Sequence, residues 1–213
     1  MMVQRFEVVP CGDDALRILC GAGDIRHDLA ARLSASANWI EIVPGKRDLC
    51  VAFDPHALSL DAAHARVLHE IATIKPSTAR ERRRHTLVVE FGGSAGPDLS
   101  ELAERLAIPQ AGIVDEVERA ELSVDMLGFT PGFAYLSGLD PALVSERLGT
   151  PRTRIPAGSV GLITGQIGLY ALDGPGGWPI IGKVQSALFD KDGSDPFLLR
   201  AGDRVVLRRK AGT

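Results

Sequence analysis

The sequence predicts an α+β chain of two domains, a small α+β N-terminal domain followed by a β-barrel or β-sandwich domain. Three observations predict it. At 213 residues and 22.7 kDa the chain exceeds the usual size of one domain and falls well short of three. Its first third alternates strand and helix patterns, whereas twelve of the 23 glycines fall between residues 128 and 182, among short strand-like pieces. Between these regions, residues 75–85 read Lys-Pro-Ser-Thr-Ala-Arg-Glu-Arg-Arg-Arg-His, which is polar and has no apolar face. The expected division is 1–80, a linker at 81–86, and 87–213, with Arg82-Arg83-Arg84 read as a solvated run.

Each element has a local reason. Phe6–Val8 and Ala15–Cys20 carry strand-like spacing around the turn formers Cys11-Gly12-Asp13-Asp14. Asp24 is placed to cap a helix whose Ile25, Leu29 and Leu33 fall four apart on one face. Trp39–Val43 and Leu49–Phe53 read as strands closed by Pro44-Gly45 and Asp54-Pro55. A second helix, from about Ser59 to Ile74, has Leu60, His64, Val67, Leu68 and Ile71 as its inner stripe. Beyond the linker, Leu87–Phe91 is a strand ended by Gly92-Gly93. Asp98 or Ser100 caps a helix through Leu102, Leu106 and Ile108, stopped by Pro109, and a further helix runs from Ala111 through Val114, Val117 and Ala120. Val160–Ile163, Ile167–Leu172, Pro179–Val184 and Val205–Arg208 are the later strand-like pieces.

Composition narrows the function. Apolar residues at 45% and charged residues at 24% belong to a folded globular chain. A net charge of -3 and a pI near 6.0 exclude an overall basic, nucleic-acid-wrapped protein. No apolar run reaches the ~18 residues of a membrane span, and Met1–Pro10 lacks the apolar core of a secretory signal. Cys11, Cys20 and Cys50 are odd in number and form no CxxC pair, which reads as a reduced, cytoplasmic chain with buried thiols.

Several familiar motifs fail on inspection. Gly177-Trp178-Pro179-Ile180-Ile181-Gly182-Lys183-Val184 approaches a phosphate-binding loop. Val184 stands where a magnesium-ligating hydroxyl is needed, and Pro179 removes an N–H. Gly21-Ala22-Gly23 lacks the third glycine of a dinucleotide fingerprint, and Ser159 has glycines at the wrong offsets for a nucleophile elbow, so it reads as a turn serine. His64 and His69 lie about 140° apart round a helix and cannot share an ion. His27, His56 and His85 read as surface or capping histidines, and no metal site is expected.

What remains is a dense run of conformationally costly residues. It comprises Gly128-Phe129-Thr130-Pro131-Gly132-Phe133-Ala134-Tyr135-Leu136, Pro151-Arg152, Pro156-Ala157-Gly158-Ser159-Val160, Gln166, Tyr170, and Pro175-Gly176-Gly177-Trp178-Pro179-Ile180-Ile181-Gly182-Lys183. Proline beside glycine fixes sharply turned backbone and leaves amides open to a ligand. Phe129, Phe133, Tyr135, Tyr170 and Trp178 are expected to wall a concave site, and Arg147, Arg152 and Lys183 to supply charge for a carboxylate or phosphate.

These blocks, in this order, resemble the family that contains the 5-oxoprolinase B subunit, allophanate hydrolase subunit 1 and the Kip-type inhibitors of sporulation histidine kinases. The resemblance covers residues 87–208 strongly and reaches the first third through Val43-Pro44 and Phe53-Asp54-Pro55. It implies a cyclophilin-like β-barrel for the second domain, and as partners a homologous C subunit plus a separate A subunit. For the 5-oxoprolinase branch it implies ATP-dependent opening of 5-oxoproline to glutamate, with ATP as co-substrate together with magnesium. Phosphorylating the amide oxygen of an unreactive lactam creates a good leaving group, which calls for cations and open amides. On this reading Arg152 and Lys183 act in catalysis. The binding set is Arg147, Phe129, Pro131, Gly132, Phe133, Tyr135, Pro156, Gly158, Ser159, Gln166, Tyr170, Pro175, Gly176, Gly177 and Trp178. The resemblance also marks departures: Val117 and Leu122 stand where the family commonly has His and Tyr, Glu146-Arg147 replaces a Pro-Arg pair, and Gly182-Lys183-Val184 replaces Gly-Arg-Thr.

Overall fold

The computed structural model describes residues 6–21, 24–36, 39–73 and 82–211. The chain divides into two compact units, residues 1–81 and 82–213.

In the first unit, β1 (Glu7–Pro10), β2 (Ala15–Leu19), β3 (Glu41–Pro44) and β4 (Asp48–Ala52) form an antiparallel sheet of order β1-β2-β4-β3. The two-residue period of a strand puts Leu16, Ile18, Leu49 and Val51 on one face. There they meet Leu29 and Leu33 of α1 (Asp24–Ala35) and Ala63 and Val67 of α2 (Leu60–Thr73). Asp24 opens α1, but its side chain and the Ala22-Gly23 pair lie outside the described residues, as do residues 74–81 of the expected linker.

Three expectations change here. Leu68, expected on the inner stripe of α2, is exposed. It lies one step of about 100° from the fully buried Val67, and Ala63 takes the inner place instead. His27 is no surface residue: it is buried with Arg26, whose guanidinium lies 3.1 Å from the imidazole and also donates to the Lys46 carbonyl. The thiols are not uniformly buried, since Cys11 is exposed and Cys50 partly so. Cys20 is buried, and burial pushes its thiol up to about 11.

The second unit contains β5 (Arg84–Phe91), α3 (Leu99–Leu106), α4 (Gln110–Arg119), β6 (Leu122–Leu127) and β7 (Ala134–Ser137). There follow β8 (Arg152–Ile155), β9 (Ser159–Ile163), β10 (Gln166–Leu169), β11 (Gly174–Gly176), β12 (Ile180–Val184) and β13 (Arg204–Arg209). Seven strands close a barrel in the order β10-β7-β6-β13-β5-β12-β9, and β8 and β11 form a separate ribbon. Neighbouring strands are antiparallel except β5 and β13, which run parallel from Arg84↔Arg204 to Val89↔Arg209. Inward residues such as Val89, Val124, Leu136, Leu162, Leu169 and Leu207 share one apolar core with Leu102, Ile113 and Val117 of the helices.

That parallel pairing corrects the linker. Arg84, His85 and Thr86 are strand residues, because β13 supplies ladder partners that a local reading of a basic run cannot foresee. Arg83 is also engaged, donating to Asp203 at 3.1 Å. His85 lies 3.0 Å from the same carboxylate and is mostly buried. No helix among the described residues is long and apolar enough to cross a membrane.

Candidate anion-binding recess on the barrel wall

The site grows from one row of side chains across three strands. In the barrel register Lys183 of β12 pairs with Ser159 of β9 on one side and Glu90 of β5 on the other. Directly paired residues project from the same face of a sheet. Along β12 only Lys183 is exposed, while Gly182 and Val184 are buried. The row therefore stands on the outer wall of the barrel. The β8–β11 ribbon and the segment before α3 border it, and together they enclose a recess of about 310 Å³. Its lining includes Glu90, Ser94, Pro97, Arg152, Arg154, Ile155, Pro156, Ser159, Ile180 and Lys183.

Asp98 organises the rim. The residue sits at the N-cap position of α3, where a carboxylate ordinarily bonds the first-turn amides, but its side chain makes no capping bond. Instead Arg152 donates to both of its oxygens, at 2.7 and 2.6 Å, and the Ile180 amide donates at 2.6 Å. The Asp98 amide returns a bond to the Ile180 carbonyl at 3.0 Å, so the start of α3 is clipped to β12. Burial pushes the Asp98 carboxyl up, but the Arg152 and Ile180 hydrogen bonds and the Arg152 charge outweigh it and hold the group below its usual 3.8. A second clip works below it: Asp173 accepts from Arg154 at 2.7 Å and from the Ala157 amide at 2.7 Å, which fixes the Pro156-Ala157-Gly158 turn.

Four residues expected in one site thus meet here: Arg152, Pro156, Ser159 and Lys183. Ser159 is a buried strand residue rather than a turn serine. Arg152 is not a free cation, because the bidentate pair with Asp98 occupies its fork. Lys183 has no ion pair among the described residues.

The aromatic residues do not form the wall of this recess. Phe133, Tyr170 and Trp178 are buried at 2–3% exposure; Phe133 and Tyr170 pack with Ile155, Ile180 and the half-buried Tyr135 in a small core of their own, and the Trp178 ring meets Phe133 and Tyr135. Their rings meet edge to face: Phe133 lies 4.7 Å from Tyr135, 4.8 Å from Tyr170 and 6.1 Å from Trp178. The glycines beside them are slots for rings. A Cβ on Gly168 would meet Phe133 and Trp178 at 2.8 and 2.9 Å, one on Gly161 would meet Trp178 at 2.9 Å, and one on Gly176 would meet the Tyr170 hydroxyl at 2.4 Å. Gly132, at φ +74, faces Ala171 and Phe197 in the same way. Gly177 meets nothing nearer than Pro151 at 3.6 Å. Gly158 shapes the turn under the recess at φ +84, donating to the Tyr170 carbonyl at 2.7 Å.

Other expected residues lie elsewhere. Arg147 is 6.0 Å over the Trp178 ring, Gln166 is on β10 opposite Ser137, Pro175 is in β11, and Pro131 is in the turn before β7. Phe129 leans on Phe133 but remains 62% exposed, with φ +75. Val117 and Leu122 are fully buried in the barrel core and do not line the recess, so no imidazole has been lost from this surface. Among the described residues no group of three His, Cys, Asp or Glu could hold a metal ion. Sequence reasoning missed Glu90, Asp98, Arg154 and Asp173. Asp98 had a sufficient local reading as a cap, and its partner lies 54 residues away.

Comparison with known proteins agrees with this architecture. The model of the carboxyltransferase domain, subdomain C and D, matches residues 6–199. The 5-oxoprolinase B subunit of Bacillus subtilis (strain 168) is 34% identical over 226 residues, covering 98% of this chain and 94% of that protein. The protein of the same name from Escherichia coli O157:H7 is 38% identical over 180 residues, covering 83% and 81%. The solved structure of TTHA0988 superposes with a TM-score of 0.79 at 30% identity over 94% of this chain, which spans only 40% of that longer one. With a matched domain over most of its length and such relatives, the chain belongs to the carboxyltransferase subdomain C and D family, alongside the 5-oxoprolinase B subunits.

Proposed function

We propose that this chain is the B subunit of an ATP-dependent 5-oxoprolinase, a cytoplasmic enzyme that opens the lactam of 5-oxoproline to glutamate. It would act with a homologous C subunit plus an A subunit. The observation that carries the reading is the near-full-length similarity to the 5-oxoprolinase B subunit of Bacillus subtilis.

The charges of the recess sharpen the role. Arg152 is balanced by Asp98, Arg154 by Asp173 and Glu90 by Lys210, the last pair 3.6 Å apart. Lys183 is left as the one surplus charge among the lining residues. A single positive charge suits a monocarboxylate better than a triphosphate. The recess, about 310 Å³, also lies at the low end of ligand-pocket volumes and has no room for two substrates. Lys183 accordingly receives the 5-oxoproline carboxylate, with the Ser159 and Ser94 hydroxyls beside it, and the nucleotide and its magnesium belong on the partner. Reconstitution of the chain with its C and A partners tests this. The expected result is 5-oxoproline-dependent ATP hydrolysis that none of the separated subunits shows, and no turnover from the full complex would overturn it.

One feature favours a second reading, inhibition of a sensor histidine kinase. An aromatic ring that leans on Phe133 yet stays 62% exposed, on a left-handed, strained residue, suits docking on another protein. Suppression of kinase autophosphorylation that is lost in Phe129→Ala would support it.

A further inference from the structure

Two thiols meet on the outer face of the N-terminal sheet. Leu16, Ile18, Leu49 and Val51 point to the helices, so the alternate residues Ala15, Arg17, Cys50 and Ala52 belong to the opposite face. There Arg17 pairs with Val9 of β1 on one side and with Cys50 of β4 on the other. Cys11, two residues beyond Val9, shares that face, and its amide donates to the Ala15 carbonyl at 2.9 Å. The row through Cys11 continues into Ala15 and Ala52, both small, and the Cys11 thiol comes within hydrogen-bonding reach of the Cys50 thiol.

The pair is accessible, since Cys11 is exposed and Cys50 partly so. Burial pushes the Cys50 thiol up, and the Cys11 thiol and the Asp48 and Asp14 carboxylates push the same way. Strand order excludes a disulfide between them. β2 lies between β1 and β4, so the two Cα atoms stand about two strand spacings apart, roughly 9–10 Å. A disulfide spans at most about 6.8 Å. A single ion between the sulfurs fits the gap better, because two metal–sulfur bonds of about 2.3 Å hold them about 4.6 Å apart instead of about 2.0 Å. Among the described residues no group of three His, Cys, Asp or Glu could hold a metal, and Asp48 is engaged by Arg17 at 2.5 Å. A four-coordinate ion such as zinc is therefore not served, whereas two facing sulfurs suit a soft ion content with two ligands.

We propose that Cys11 and Cys50 bind one soft monovalent cation, of the copper(I) class, as a two-coordinate dithiolate site on the outer face of the N-terminal sheet. Each thiol gives its proton to solvent as its metal–sulfur bond forms, so the ion keeps its charge and neither oxidant nor reductant takes part. Two thiolates around a monovalent cation leave one net negative charge. Arg17, directly beside Cys50 in the register, stands on the same face to offset it. The site lies in a different unit from the barrel recess and stands or falls independently of the function proposed for it.

The test uses the full, reduced chain, with copper(I) presented as its coloured bicinchoninate complex and zinc(II) as the contrasting ion. The chain should withdraw one equivalent of copper(I), and the bound ion should protect Cys11 and Cys50 together from iodoacetamide, read by mass spectrometry. Zinc(II) should bind at least about a hundredfold more weakly. Cys11 is exposed, so Cys11→Ser should fold normally and weaken copper(I) binding at least about a hundredfold. Cys50→Ser should do the same. Cys20→Ala, which removes the buried thiol outside the pair, should bind as the native chain does. Undiminished binding to Cys11→Ser, zinc(II) bound as tightly as copper(I), one ion shared between two chains, or closure of a Cys11–Cys50 disulfide by peroxide within the folded chain would each overturn the proposal.

Discussion

The aromatic wedge and the charged recess share Ile155 and Ile180, and the same run of Gly, Pro and ring residues nominated both as one pocket. The fold separates them. In the wedge, Gly161, Gly168 and Gly176 give up their side chains so that Trp178, Phe133 and Tyr170 can fill the space, and the result is dry packing. On the recess side, charge stands on two barrel strands and on β8, and three of its four charged groups are tied down by partners. Costly residue types therefore mark where a backbone must be shaped, while the charged side chains sit one layer out, on residues with ordinary backbones.

The comparison breaks most visibly at Trp178. If the ring were a pocket wall, Trp178→Ala would spare the fold; as a buried core residue it should cost about 3–5 kcal/mol in denaturant unfolding. Gly168→Ala should also destabilise, by about 1–3 kcal/mol, because its methyl group would overlap two rings. A loss below about 1 kcal/mol for Trp178→Ala would return that residue to the recess.

Arg152→Ala comes next, at about 2–3 kcal/mol, because it strips the buried Asp98 of its charged partner. Acid sharpens the same point. Asp98 titrates below its usual 3.8 when folded, so its stabilising contribution is fully present above that value and fades as the pH falls through the lowered one. Glu118 and Asp173 are also held low, so the measurement is a difference. The stability gap between the native chain and Asp98→Asn should be constant from about pH 7 to about pH 5 and shrink below about pH 4. A gap that stays constant through the acid range would mean that the clip does not hold Asp98 ionised.

These outcomes bear on how much could be read in the sequence. Periodicity located α1 to α4, because their apolar residues face a core the helix itself can indicate, and it located strands such as β4, which alternates, and β9, whose Val160–Ile163 stretch is apolar. It passed over β6, whose Ser123 and Asp125 are buried beside apolar neighbours, and β11, whose Gly-Pro-Gly reads as a turn. The parallel β5–β13 ladder and the Asp98–Arg152 pair join residues far apart in sequence, and no local signal carries either. Lys183 was legible as a cation in an unusual block. Its neighbour Glu90 became meaningful only through barrel register.

Lys183 gives the smallest effect on stability and the most discriminating one on function. Its side chain is exposed and has no ion pair among the described residues, so Lys183→Gln should change unfolding free energy by less than about 0.5 kcal/mol. In the reconstituted enzyme the same change removes the recess's one surplus charge, and the KM for 5-oxoproline should rise about tenfold or more while that for ATP stays put. Lys183→Arg should recover part of the loss, since charge rather than shape is what the carboxylate meets. If instead the KM for ATP rises and that for 5-oxoproline does not, the surplus charge serves the nucleotide, and the division of substrates between this barrel and its partner is the reverse of the one argued from the ion pairs.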